Sequence, residues 1–180
     1  TNAVDADLFI VLASQDLSLR SKGINALIME REPEGLDINP QHGKMGMRAS
    51  STAEVIFNHC VVAAENRLGD EGDGFRQTMD ILNASRIAIA AQCVGIAQAA
   101  YEASVSYAKH REAFGKHLAD FQGIQWMVAE MATNVDAARL MVRRAATLLD
   151  KDRPFVKEAS MAKLYSSEAA FRVCLSLIHI

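Results

Sequence analysis

Hydrophobic positions change their period once along this chain. Before residue 63 they come as short runs, Leu8-Phe9-Ile10-Val11-Leu12, Ile24-Asn25-Ala26-Leu27-Ile28-Met29 and Ala53-Glu54-Val55-Ile56-Phe57, rich in β-branched and aromatic residues. Turn formers separate them at Ser21-Lys22-Gly23, Pro33-Glu34-Gly35 and Asn39-Pro40. Such runs between such breaks predict three or more antiparallel strands. A sheet this small has edges that need cover, so further strands are expected upstream.

Beyond residue 63 the pattern becomes helical. Residues 65–74 are acidic and carry Gly69, Gly72 and Gly74, and from Phe75 onward there is no proline until Pro154. A linker followed by long helices is the expected result. Ile124, Val128, Met131, Val135, Ala138, Val142, Ala145 and Leu149 alternate spacings of four and three, which places them on one helix face. An earlier stripe, Ile87, Ala90, Val94, Ala97 and Tyr101, is mostly small and lets a partner backbone come close. The two helices are expected to pack antiparallel around a break at Phe114-Gly115. Residues 150–154 end the second helix, and Pro154 is expected near the first position of a third, where its missing N–H costs nothing. That third helix runs through Met161, Leu164, Tyr165 and Ala169. The fold class expected is α+β: an antiparallel β-domain remnant over residues 1–63, a linker over 64–74 and an incomplete bundle of long helices over 75–174.

Composition narrows the class. Half of the 180 residues are hydrophobic, with only 10 Gly and 3 Pro, so a real core can form and disordered or collagen-like chains are excluded. The formal charge of -3 and pI near 5.9 argue against nucleic acid as a partner. Cys60, Cys93 and Cys174 are odd in number, far apart and without Cys-x-x-Cys spacing, which suggests a reducing compartment rather than a disulfide framework. The longest apolar stretch, residues 87–101, is interrupted by Gln92 and Gln98 and falls short of the roughly 20 residues of a membrane span. The chain opens on Thr1-Asn2 without Met and moves straight into strand-like sequence. It reads as starting in mid-protein, so a missing leader says nothing about location.

Candidate chemistry is sparse. His42, His59, His110, His117 and His179 never pair at the i, i+4 spacing of a metal face on a helix, so no metal site is expected. The glycines of residues 69–74 follow no strand-to-helix crossover and stand among carboxylates that repel phosphate; they read as linker. Arg111-Glu112-Ala113-Phe114-Gly115 places a bidentate cation and an aromatic where a helix ends and the chain turns. Either Arg111 grips a pyrophosphate while Phe114 packs on a heteroaromatic ring, or Arg111 complements the helix end and Phe114 plugs the core. Spacing alone favours the second. Asn83-Ala84-Ser85-Arg86 interrupts an apolar helical stretch, for a ligand or for a buried hydrogen-bond network.

Seven stretches in order resemble the acyl-CoA dehydrogenases, most closely the short-chain (butyryl-CoA) branch. They are Thr1-Asn2, Lys44-Met45-Gly46-Met47-Arg48-Ala49-Ser50-Ser51-Thr52, Gly72-Asp73-Gly74-Phe75, Arg86-Ile87-Ala88-Ile89-Ala90, Arg111-Glu112-Ala113-Phe114-Gly115, Phe121-Gln122-Gly123-Ile124-Gln125 and Lys157-Glu158-Ala159-Ser160-Met161-Ala162-Lys163. The resemblance implies a tetrameric flavoenzyme with an N-terminal helical domain, a middle β-domain and a C-terminal four-helix domain, of which this chain is the end of the second and most of the third. It implies FAD between these domains, with Thr1 by the flavin ring. Arg111 and Gln122 would hold the diphosphate-adenosine part of a partner subunit's FAD, with Phe114 nearby. Asn83, Ala84, Ser85 and Arg86 would line the acyl-CoA site; most relatives have Asp where Asn83 stands, so an acceptor is kept and a charge lost.

The reaction implied is α,β-dehydrogenation of a short- or medium-chain acyl-CoA to the trans-2-enoyl-CoA, in fatty-acid or branched-chain amino-acid oxidation. A carboxylate takes the α-proton, hydride leaves to the flavin, and an electron-transferring flavoprotein takes the electrons. The general base is expected beyond residue 180, since Ser85, at the position a minority of the family uses, is no carboxylate. The Gly-rich stretch that grips FAD is expected upstream of Thr1, so the isolated chain is expected to be inactive. Location is expected in bacterial cytoplasm or mitochondrial matrix. An acyl-CoA oxidase or flavin monooxygenase of the same fold is an alternative, as is a non-catalytic helical interaction module. Leu175-Ser176-Leu177-Ile178-His179-Ile180 departs from the family's continuation and coincides with one reading frame of a transposon end used in sequencing libraries, so it reads either as a non-native tail or as a genuine apolar last helical turn.

Overall fold

The computed structural model describes residues 1–31 and 34–180; Pro33 of the second expected turn lies outside them. The chain divides into two compact units, Thr1–Met79 and Asp80–Ile180. In the first, β1 (Leu8–Ser14) and β2 (Ile24–Glu30) pair antiparallel from Leu8↔Glu30 to Ser14↔Ile24. Side chains alternate along β1, with Phe9 and Val11 half-buried and Leu8, Ile10 and Leu12 exposed, as the period of two requires. The connection is a 3₁₀ turn capped by Asp16, whose Oδ1 accepts from Ser18 N–H at 2.8 Å; the Ser18 hydroxyl first, and this amide second, hold the Asp16 carboxyl below its ordinary pKa.

β3 (Leu36–Pro40) and β4 (Ala53–Phe57) form a separate antiparallel pair. Here the expectation needs correcting, because Asn39-Pro40 is not a break but the end of β3. A two-stranded ribbon consists of edges only, where proline's missing N–H leaves no ladder bond unmade. Between β3 and β4 the ammonium of Lys44 donates to the carbonyls of Met47 and Ser50 and to Thr52 Oγ1, gathering the loop around one cation. The expected linker also holds β5 (Arg67–Leu68), which adds a third strand beside β2. Gly74 is required where the first helix leaves the sheet: a Cβ there would stand 2.6 Å from the Ala26 nitrogen.

Three helices make the second unit: α1 (Gly74–His110, whose first residues lie in the first unit), α2 (Gln122–Asp150) and α3 (Val156–His179). Every member of the two expected stripes is buried or half-buried. Ala97 and Ala100 of α1 cluster with Met131 and Val135 of α2 and with Ala170 and Val173 of α3. At the other end Ile87 and Ala90 cluster with Ala145, Ala159 and Ala162. The pairing of 97 with 131 and of 87 with 145 makes α1 and α2 antiparallel, and α3 runs back alongside. α3 buries its small residues, Ala159, Ala162, Ser166, Ala169, Ala170 and Val173, while Met161 and Leu164 face outward. Pro154 lies just ahead of Phe155, the residue that caps α3, rather than inside the helix. None of the helices among the described residues is long and apolar enough to cross a membrane.

Between α1 and α2 the chain makes a small hairpin, β6 (Glu112–Ala113) and β7 (Lys116–His117). Its two central residues, Phe114 and Gly115, have φ of 54° and 80°, the type I′ arrangement that suits Asn-Gly. A left-handed backbone is unfavourable for a bulky side chain.

Two stability measurements follow from this packing. Met131→Ala, at a site 1% exposed, is expected to lower unfolding free energy by about 2–5 kcal/mol in a denaturant titration, whereas Met45→Ala, at 96% exposure, changes it by less than about 0.5 kcal/mol. Phe114→Asn is expected to stabilise the chain by about 1 kcal/mol, because Asn tolerates the left-handed region and the lost ring has no core to leave; a lower midpoint for this variant would refute the account of the turn.

Candidate functional site

α1 ends at His110, and Arg111 follows as its amide donates to Tyr107 O at 2.9 Å. Arg111 O then accepts from Leu118 N–H at 2.9 Å, closing the hairpin so that the loop returns beside the helix end. The Arg111 side chain is exposed and has no hydrogen-bond or ion-pair partner among the described residues. Phe114 is 98% exposed. The ring therefore does not plug the core in this chain, while Arg111 does stand at the helix end. It stands edge-on to Phe121 with ring centroids 6.4 Å apart, and Lys116 Nζ lies 4.2 Å from the Phe121 ring centre. Gln122, the first residue of α2, is likewise exposed and unpartnered.

A guanidinium and an amide without partners, and an aromatic face held in water on an unfavourable backbone, share this one connection. Exposure of a ring 98% free brings no folding gain, and backbone held against its preference clusters at ligand sites. The donor set fits a dinucleotide: the planar fork of Arg111 matches a pyrophosphate, the Gln122 amide offers both donor and acceptor to a nucleoside, and the Phe114 ring offers an apolar wall. Phe121 and Lys116 complete the surface, and sequence reasoning missed them. The spacing of a cation five residues before an aromatic was the available signal.

The second expected cluster sits on α1 near its start. Arg86 Nη1 donates to Asn83 Oδ1 at 2.5 Å and to Ser160 Oγ of α3 at 3.4 Å. Ser85 Oγ donates to Leu82 O at 3.0 Å, and Ala84 is half-buried. The hydrogen-bond network is thus real, and it is only half-buried, open to a ligand. Ser160 is the residue that sequence reasoning did not assign. From Arg86 to His110 a helix rises about 36 Å, so the two clusters are not brought together within one copy of the chain. Thr1 belongs to the first unit and is exposed; its neighbour Asn2 has φ of 61° and donates its amide to Ser51 O at 2.8 Å. The Ser51 hydroxyl beside it is buried without a partner among the described residues.

The model of the family described as acyl-CoA dehydrogenase, C-terminal domain, matches residues 72–180. Mitochondrial short-chain specific acyl-CoA dehydrogenase of Sus scrofa is 46% identical over 181 residues, covering all of this chain and 44% of that protein. Subunit CarC of the caffeyl-CoA reductase-Etf complex of Acetobacterium woodii is 39% identical over 180 residues, all of this chain and 48% of that one. Butyryl-CoA dehydrogenase from Megasphaera elsdenii superposes with a TM-score of 0.94 at 40% identity, over 99% of this chain and 47% of that one. PigA with FAD and proline superposes at 0.96 and 28% identity, over 99% and 47%. The chain spans about half the length of the curated relatives it matches. Its helical unit, hairpin and strands are those of a known lineage, and the chain belongs to the acyl-CoA dehydrogenase family.

Proposed function

We propose that the whole protein carries out FAD-dependent α,β-dehydrogenation of a short- or medium-chain acyl-CoA, and that this chain supplies the end of its middle β-domain and most of its C-terminal helical domain. The observation that carries the reading is the α1–α2 connection, where Arg111, Gln122 and a 98% exposed Phe114 stand ready for a dinucleotide. The about 36 Å of helix between Arg86 and the end of α1 keeps the two clusters apart on any one copy of the chain. This supports a shared arrangement, in which the connection holds the tail of a neighbouring subunit's FAD while residues 83–86 serve the chain's own substrate site. Relatives that act on CoA thioesters support the substrate class, and PigA's FAD supports the cofactor.

Bound FAD would supply the hydride acceptor. In this chain Arg111 neutralises diphosphate charge, Gln122 orients the adenosine end and Phe114 excludes water from it. Thr1 stands by the flavin ring, and Asn83 accepts a hydrogen bond from the pantetheine arm without adding a charge. The general base is a carboxylate of the protein outside this chain. Electrons leave to an electron-transferring flavoprotein, a partner supported by the Etf assembly of the Acetobacterium woodii relative. This sharing requires at least two copies of the chain, and a homotetramer is the assembly we propose.

Expression of the full-length protein tests the reading. It is expected to purify yellow and to bleach with butyryl-CoA, while the isolated 180-residue chain with added FAD forms no enoyl-CoA. Arg111→Ala is expected to weaken FAD retention at least about tenfold, the loss of a charge-assisted bidentate contact, read by flavin fluorescence released on dilution. Retention unchanged in that variant would sink the assignment of the connection. Hydrogen peroxide formed in step with product would instead identify an acyl-CoA oxidase.

A further inference from the structure

Arg86 is held by two partners, and both are uncharged. Its Nη1 donates to Asn83 Oδ1, one turn earlier on α1, at 2.5 Å, and to Ser160 Oγ at 3.4 Å, on α3 and 74 residues away in sequence. Ser160 Oγ in turn donates to Val156 O at 2.8 Å. A hydroxyl has one proton and two lone pairs, so with its proton on Val156 O it can only accept from the guanidinium. No carboxylate lies within ion-pair distance of Arg86 among the described residues.

The backbone beneath this contact is fixed. Ile87, next to Arg86, and Ala159, next to Ser160, belong to one buried cluster with Ala90, Ala145 and Ala162. Ala159 and Ala162 are fully buried, so α3 cannot shift along α1 at this height without opening the core. The guanidinium is therefore gripped from two helices whose separation the core sets.

We propose that Ser160 is a positioning residue for Arg86, through which α3 selects one orientation of the guanidinium while leaving its charge whole for the acyl-CoA. A carboxylate at residue 160 would orient the fork equally well and cancel the charge. A methyl would leave the charge and free the rotamers of a long side chain. The hydroxyl orients without neutralising. This rests on the reading of residues 83–86 as substrate-lining, and names the element outside that segment on which the reading depends.

The test uses the full-length flavoprotein with butyryl-CoA and the variants Ser160→Ala, Ser160→Thr, Arg86→Lys and the double variant Ser160→Ala with Arg86→Lys. Ser160→Ala is expected to raise KM roughly three- to tenfold, the factor of one hydrogen bond, with a smaller change in kcat. Ser160→Thr keeps the hydroxyl and is expected to match the parent. Arg86→Lys is expected to raise KM, and adding Ser160→Ala to it to change nothing more, because the serine acts through the arginine. An unchanged KM in Ser160→Ala beside a raised one in Arg86→Lys overturns the role of Ser160 alone. A parent-like KM in Arg86→Lys overturns the substrate-site reading itself. Equal impairment in Ser160→Ala and Ser160→Thr, with a lowered melting temperature, reduces Ser160 to packing and also overturns the proposal.

Discussion

Close approach of helix backbones across alanine governs this structure. Ala90, Ala97, Ala100 and Ala108 on α1, Ala138 and Ala145 on α2, and Ala159, Ala162, Ala169 and Ala170 on α3 are all buried. Each gains little by transfer from water, but none loses rotamer freedom, and methyl-sized side chains let whole backbones share dispersion contact. The cost of that choice shows on the surface, where Trp126, Leu140, Leu164, Phe171 and Ile178 point away from the bundle axis. The gain is a fixed spacing between helices. Arg86 and Ser160 meet across that spacing, and so their contact rests on the methyl groups packed beneath it.

The hairpin obeys the opposite logic. Its two-residue turn places Phe114 where Asn would sit at lower energy, and the ring gains nothing from the core because it is in water. Local strain of this kind survives only where the surroundings hold it, and here they do: Arg111 O is tied to Leu118 N–H, and Phe121 meets the ring edge. Stability and display are in direct opposition at one residue.

Much of the fold was legible because α2 carries eight apolar positions at a helical period from Ile124 to Leu149 without a fault, and every one of them is covered. The break at Phe114-Gly115 was legible because it lies between the stripe that ends at Tyr101 and the one that begins at Ile124. β3 was not, since its few residues end in Asn39-Pro40, a pair that marks turns more often than strand ends. β5 has two residues and no period at all. Spacing could name Arg111 and Phe114 but not decide between core and solvent, because a turn has no face. Ser160 lay outside any local rule: its contact with Arg86 joins positions 74 apart and exists only once α1 and α3 are packed.

The unbroken run of α1 from Arg86 to His110 also constrains how such a gene can change. One residue added or removed between these points rotates one end against the other by about 100°, so that if the arginine kept its place the hairpin would be aimed elsewhere. Substitutions on the outer face leave this phase untouched, and only steps near whole turns restore it. The helix works as a ruler with angular graduations, indifferent to most letters on its outer face and sensitive to their number.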